Sequence, residues 1–148
     1  MNTKYDLLTL KNQLCFPIYL VAKEITKRYS YLLDKLDLTY TQYIVMMYFW
    51  EKRSSNVKEI SNILLLDSST LTPLLKKLEL KGYITRSRSI EDERNLVVSV
   101  TNKGLKLRDE ALNIPEEMTK CVDLEPKEME SLYKITYKIL NNLTKEEQ

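Results

Sequence analysis

The spacing of apolar residues changes abruptly at Gly82, and that change narrows the choice of fold more than any other feature of the chain. Before it, Leu71, Leu74, Leu75 and Leu78 recur at three and four residues, the period of a helix. After it, Leu96, Val98 and Val100 alternate with Asn95, Val97, Ser99 and Thr101, the period of a strand, and Tyr83 to Arg88 supplies an antiparallel partner through a polar turn at Ile90-Glu91-Asp92-Glu93. A helix that runs into a short hairpin therefore sits at the centre of the chain.

The helix is preceded by another. Asn56 with Glu59 has the spacing of a capping box and opens a short helix whose inner face is Val57, Ile60, Ile63 and Leu64. Leu66-Asp67-Ser68-Ser69-Thr70 then offers several side-chain caps. Proline costs little in a first turn, so Pro73 places the N-cap of the next helix at about Ser69 or Thr70. Upstream, Thr39 with Gln42 starts a nearly all-apolar helix through Trp50. Leu14, Ile18, Val21, Ala22, Ile25, Tyr29, Leu32, Leu33 and Leu36 mark a long amphipathic helix before it. Downstream, Thr101 caps a helix to about Lys120 that bends or breaks at Pro115. A last helix follows Pro126 with Met129, Leu132, Tyr133, Ile139, Leu140 and Leu143 inward. Both glycines, Gly82 and Gly104, fall where helical periodicity gives way.

The predicted order is four helices, a β-hairpin and two helices: a mainly α chain with a small β-hairpin, arranged as a winged helix-turn-helix. At 148 residues it fits one folding unit. The apolar stripes of the first and last helices are too broad for the core of a small domain, which is compatible with a dimer. Residues 1–38 and 102–148 are the expected dimerisation helices and residues 39–101 the winged helix-turn-helix.

A winged helix places its second helix in the major groove of double-stranded DNA and its hairpin along the backbone or in the minor groove. The reading helix would present Ser68, Ser69, Thr70 and Thr72 with Pro73, followed by Lys76 and Lys77. Between residues 68 and 90, five cations, Lys76, Lys77, Lys81, Arg86 and Arg88, face Glu79 alone, although the whole chain carries only +2. Arg94 is the candidate minor-groove contact, with Asp92 able to orient it.

The chain contains no histidine, so the usual general base, the usual nucleophilic triad and most zinc sites are excluded, and an enzyme is disfavoured. No metal or cofactor is expected. Neither a membrane span nor a secretion signal is read, and two cysteines 106 positions apart fit a reducing, cytoplasmic setting. Cys15 precedes Phe16-Pro17, which puts it at or beside a helix N-terminus, where partial positive charge favours a reactive thiolate.

Three runs carry a family resemblance: Asn12-Gln13-Leu14-Cys15-Phe16; Leu66-Asp67-Ser68-Ser69-Thr70-Leu71-Thr72-Pro73-Leu74-Leu75-Lys76-Lys77-Leu78-Glu79; and Glu91-Asp92-Glu93-Arg94. Together they resemble the organic hydroperoxide regulators of the MarR family. The resemblance covers nearly the whole chain and implies a homodimeric repressor on a pseudo-palindromic operator. It also implies a peroxide-reactive Cys15, tyrosines matching Tyr29 and Tyr40 that hydrogen-bond the sulfur across the dimer, and a pocket tyrosine matching Tyr19. Cys121 resembles a resolving cysteine; a mixed disulfide with a low-molecular-weight thiol is the alternative. Within the same family, a small aromatic ligand held beneath the tyrosines is the other way to release DNA.

Overall fold

A computed structural model describes residues 4–91 and 95–145. The chain divides into two compact units, residues 1–114 and 115–148.

In the first unit, two short 3-10 turns lead into α1 (Cys15–Leu33). A third 3-10 turn, Asp34–Leu36, follows α1 and ends at Asp37, whose left-handed φ of 50° turns the chain into α2 (Tyr40–Lys52). The capping box expected at α2 is complete. The Gln42 amide donates to Thr39 Oγ1 at 3.3 Å, and the Thr39 amide donates to Gln42 Oε1 at 3.1 Å. α2 is the hub of the core, as its sequence requires: Tyr43, Val45, Met46, Tyr48 and Phe49 are buried. Around it pack Leu33, Ile60, Leu71, Leu75, Leu78, Ile84 and Val98.

The helix-turn-helix is α3 (Val57–Leu64) and α4 (Ser68–Leu80). Asn56 caps α3 by accepting from the Glu59 amide at 2.8 Å, but the Glu59 carboxylate turns to Ser55 Oγ at 2.7 Å instead of completing the box. The reading helix starts earlier than the sequence suggested. Asp67 is its N-cap, accepting from the Thr70 amide at 2.8 Å and from Ser69 Oγ at 2.6 Å. Asp67 carries a charge that the positive end of the helix favours, which Ser69 and Thr70 lack. Pro73 consequently lies in the second turn, where it denies the Ser69 carbonyl an α-helical amide.

Gly82, at φ 78°, stops α4 and leads into the wing. The wing is β2 (Ile84–Arg88) paired antiparallel with β3 (Leu96–Val100), with Ile84 opposite Val100 and Arg88 opposite Leu96. It is not an isolated hairpin. A third strand, β1 (Ser54–Asn56), pairs with the other edge of β3, giving the order β1-β3-β2. Its sequence, Ser-Ser-Asn, has no apolar alternation to announce it. It is held instead by backbone pairing and by the Ser54 and Ser99 hydroxyls 2.9 Å apart.

α5 (Asn102–Glu110) is capped by Thr101, whose hydroxyl accepts from the Gly104 amide at 3.0 Å. Gly104 lies inside this helix, not at a joint. The Tyr83 carbonyl passes so close that a Cβ on residue 104 would lie 2.2 Å from it, and the Trp50 indole donates to the Gly104 carbonyl at 2.8 Å.

The helix predicted to run to Lys120 is interrupted before Pro115, and α6 (Ile114–Val122) follows α5. In the second unit, α7 (Pro126–Lys145) buries no residue. Met129 and Ile139 are half-covered, while Leu132, Tyr133, Leu140 and Leu143 are exposed, so most of the stripe expected to point inward is exposed. Leu14, Ile18 and Val21 of the first helical segment are exposed in the same way. No helix among the described residues is long and apolar enough to cross a membrane.

Candidate nucleic-acid interface and thiol site

Leu65 holds a left-handed φ of 50° at the end of α3, and the Leu66 amide donates to the Ser61 carbonyl, so α3 ends cleanly and α4 departs at once. Leu71, Leu74, Leu75 and Leu78 seat one face of α4 in the core. That leaves Ser68, Ser69, Thr70, Thr72, Pro73, Lys76 and Lys77 exposed on the opposite side. These are the side chains the sequence assigned to DNA. Two of them already have local work: Ser69 donates to Asp67, and the Thr70 amide completes the cap. Hydrogen bonds from Ser69 and Thr70 hold the Asp67 carboxyl below the usual carboxylate range.

Beside α4 is a groove of about 450 Å³ lined by Lys58, Ser61, Ser68, Thr72, Arg86 and Leu96, among others. It lies where the start of α3, the start of α4 and the wing meet. Lys58 was not singled out in the sequence, because a lone lysine on a short helix carries no spacing signal of its own. Arg88 is exposed near the end of β2, while Asp92 and Arg94 lie outside the described residues.

Arg86 stands apart from the other cations. Its Nη2 and Nε donate to Glu79 Oε2 at 2.7 and 3.0 Å, and its backbone amide donates to Glu79 Oε1 at 3.2 Å. The guanidinium draws the Glu79 carboxyl below its ordinary range. At the end of the same helix, Lys81 Nζ lies 3.1 Å from Asp37 Oδ2 and also donates to the Asp37 carbonyl, tying α4 to the corner between α1 and α2.

The thiol elements lie along α1. Cys15 is its first residue, as the Phe-Pro that follows it led one to expect, and its side chain is exposed. Tyr19 follows one turn later on the same face, with Lys23 Nζ 5.4 Å from its ring centroid. Tyr29 lies at the other end. Its ring stacks on Tyr40 with centroids 4.4 Å apart and meets Tyr43 at 5.9 Å. Burial raises the pKa of all three phenols, and neighbouring phenols add to the effect at Tyr29 and Tyr43. They therefore stay protonated and able to donate at neutral pH. Fourteen residues of helix, at 1.5 Å each, separate Cys15 from Tyr29 by about 21 Å, so one protomer does not bring its own thiol to its own tyrosine stack. Cys121, on α6, is also an exposed free thiol.

Known proteins share this sequence and this fold. The SarA/Rot family of transcriptional regulators matches residues 27–111, more than half of the chain. The organic hydroperoxide resistance transcriptional regulator of Bacillus subtilis is 41% identical over 143 residues, 97% of each chain. The regulator SarZ of Staphylococcus saprophyticus is 47% identical over 117 residues, 79% of this chain and 80% of that one. The chain belongs to the SarA/Rot family of transcriptional regulators. Among solved structures, reduced AbfR bound to DNA has a TM-score of 0.78 and 30% identity, covering 96% of this regulator and 99% of that chain. AbfR, from Staphylococcus epidermidis, has also been solved overoxidised on DNA and with a disulfide formed. This SarA/Rot-family chain thus belongs with transcriptional regulators. Its winged helix-turn-helix has the architecture the sequence led one to expect, with one additional strand.

Proposed function

We propose that the regulator is a homodimeric repressor that binds a pseudo-palindromic operator when reduced and releases it when Cys15 is oxidised by an organic hydroperoxide. In this reading residues 1–38 and 102–148 form the dimer and residues 39–101 read DNA. The exposed apolar faces of the first helical segment and of α7 support the first assignment. The exposed hydroxyls and lysines of α4 support the second.

The observation that carries the switch is the separation of the thiol from the tyrosine stack along one helix. Cys15 opens α1 with Tyr19 one turn away, and the stack of Tyr29 on Tyr40 lies about 21 Å further along. A hydrogen bond between them therefore belongs to a centre completed by a second copy of the chain, which is where a change at sulfur bears directly on how two reading helices are spaced. The Cys15 thiolate attacks the distal oxygen of the hydroperoxide. The O–O bond breaks, the sulfur becomes a sulfenic acid, and the leaving alkoxide takes a proton to give the alcohol. The thiol of Cys121, or a low-molecular-weight thiol in its place, then displaces water from the sulfenic acid to form a disulfide.

A hundredfold loss of DNA affinity requires about 2.8 kcal/mol of coupling between the oxidised centre and the bound state, the scale of ordinary interface rearrangement. The test uses DNA selected from a random library by the reduced protein. One equivalent of cumene hydroperoxide is expected to weaken wild-type binding by about a hundredfold and to leave the Cys15→Ser variant bound. Wild-type protein that stays bound after mass spectrometry shows complete Cys15 oxidation refutes the switch. A Cys15→Ser variant that still releases DNA on adding an aromatic acid would instead favour a ligand-operated regulator.

A further inference from the structure

The three hydrogen bonds that Glu79 accepts from Arg86 join two parts of the molecule that must be held at a fixed angle. Glu79 is on the last turn of α4, whose outer face carries the candidate reading residues, and Arg86 is in the middle of β2. In the sheet order β1-β3-β2, β2 is an edge strand, and Arg86 pairs with Val98 through its other side. One Glu79 oxygen takes the edge amide of Arg86 at 3.2 Å, while the other takes both Nε and Nη2. The side chains are 36% and 19% exposed for Glu79 and Arg86, so the pair is half-withdrawn from water. A planar fork held by a carboxylate that also fixes the strand's backbone constrains direction as well as distance.

We propose that Arg86 is a positioning residue for DNA reading: with Glu79 it sets the angle of the wing against the reading helix and makes no phosphate contact of its own. This rests on the DNA-reading role proposed above. The lever is long. Four extended residues from Arg86 to Ile90 span about 13 Å, so a rotation of about 5° at the clamp carries the wing tip about 1 Å sideways. A displacement of that size is enough to take a wing out of hydrogen-bonding register with a groove.

The sign of one substitution separates positioning from contact. Glu79→Gln removes a negative charge beside DNA and frees Arg86. If Arg86 were a phosphate contact, affinity would rise. For a clamp it falls, by about fivefold or more. Arg86→Gln should lose a similar factor, and so should Arg86→Lys, because lysine keeps the charge but lacks the planar fork. The double variant Glu79→Gln with Arg86→Gln should lose no more than the worse single variant.

Affinity for the selected DNA is measured for the full-length reduced proteins at several salt concentrations, with thermal melting alongside to confirm that each variant is folded. The slope of log affinity against log salt should change equally in Glu79→Gln, which keeps the Arg86 charge, and in Arg86→Gln, because both lose the same wing geometry; a phosphate contact made by Arg86 itself would lower its magnitude by about 0.9 in Arg86→Gln alone. Tighter binding by Glu79→Gln, full affinity in Arg86→Lys, or a slope reduced only in Arg86→Gln overturns the clamp while leaving the regulator a DNA-binding protein. Wild-type protein that selects no DNA overturns the parent reading and the clamp with it.

Discussion

Replacing Gly104 by alanine sets two effects of known size against each other. Alanine in a helix is favoured over glycine by about 1 kcal/mol, so an exposed helix would gain from the change. Here the new methyl would lie 2.2 Å from the Tyr83 carbonyl oxygen, 3.0 Å from its carbon and 2.9 Å from Val100 Cγ2. The first two are backbone atoms and have no rotamer to escape into. Tyr83 is also anchored, because its carbonyl accepts from the Thr101 amide at 3.0 Å. Relief therefore requires α5 to move outward by about 1 Å. That movement stretches the 2.8 Å bond from the Trp50 indole beyond the range of a hydrogen bond. Overpacking costs about 1–3 kcal/mol and the lost hydrogen bond about 1 kcal/mol, against the 1 kcal/mol gained. The net loss is about 2 kcal/mol, which for a chain of this length lowers the melting temperature by roughly 4–8 °C. Trp50 is the sole tryptophan, so its fluorescence reports both the melt and the loss of its own acceptor. A Gly104→Ala protein that melts at or above the wild-type temperature with unchanged emission would show that the Tyr83 approach is not the reason for glycine.

Two further outcomes are expected. Asp67 has a lowered carboxyl pKa in the folded chain, so its charged cap stabilises above the unfolded value of about 3.9 and loses that contribution as pH falls through the lower folded value. The stability difference between wild type and Asp67→Ala should therefore shrink on acidification from about pH 5 to about pH 2; a difference that stays constant in chemical denaturation across that range would refute the assignment. If Cys121 resolves the oxidised Cys15 of the other protomer, hydroperoxide treatment should give a covalent dimer on a non-reducing gel that is lost in Cys121→Ser. Persistence of the linked dimer in that variant would remove Cys121 from the role.

Much of the fold was legible because its signals are local. Thr39 with Gln42, Asn56 and Thr101 are caps that act within four residues, and the change of period at Gly82 marks the helix-to-wing transition directly. What escaped the sequence depends on partners far along the chain. β1 is three polar residues that become a strand because β3 lies beside them. Gly104 is required by a carbonyl 21 positions earlier. Asp67 displaced the hydroxyl caps because both kinds of side chain were available and the charge decided between them. At the candidate site, the exposed face of α4 was readable from helical spacing. The Glu79 partner of Arg86 was not, since charge counting treats every cation as equally free. The stripe of α7 is apolar as read but mostly exposed, because periodicity identifies a face without saying what covers it.

Cys15 and Tyr29 stand at opposite ends of α1. If they form the proposed oxidant-sensing centre, a single chain carries only half of each centre, and a two-fold pair of chains completes two. On the proposed reading a lone protomer is deaf to oxidant, and a hybrid pairing one wild-type chain with one Cys15→Ser chain retains one working ear. Response would then track assembly as well as peroxide, and dilution would silence the protein before it unfolded it.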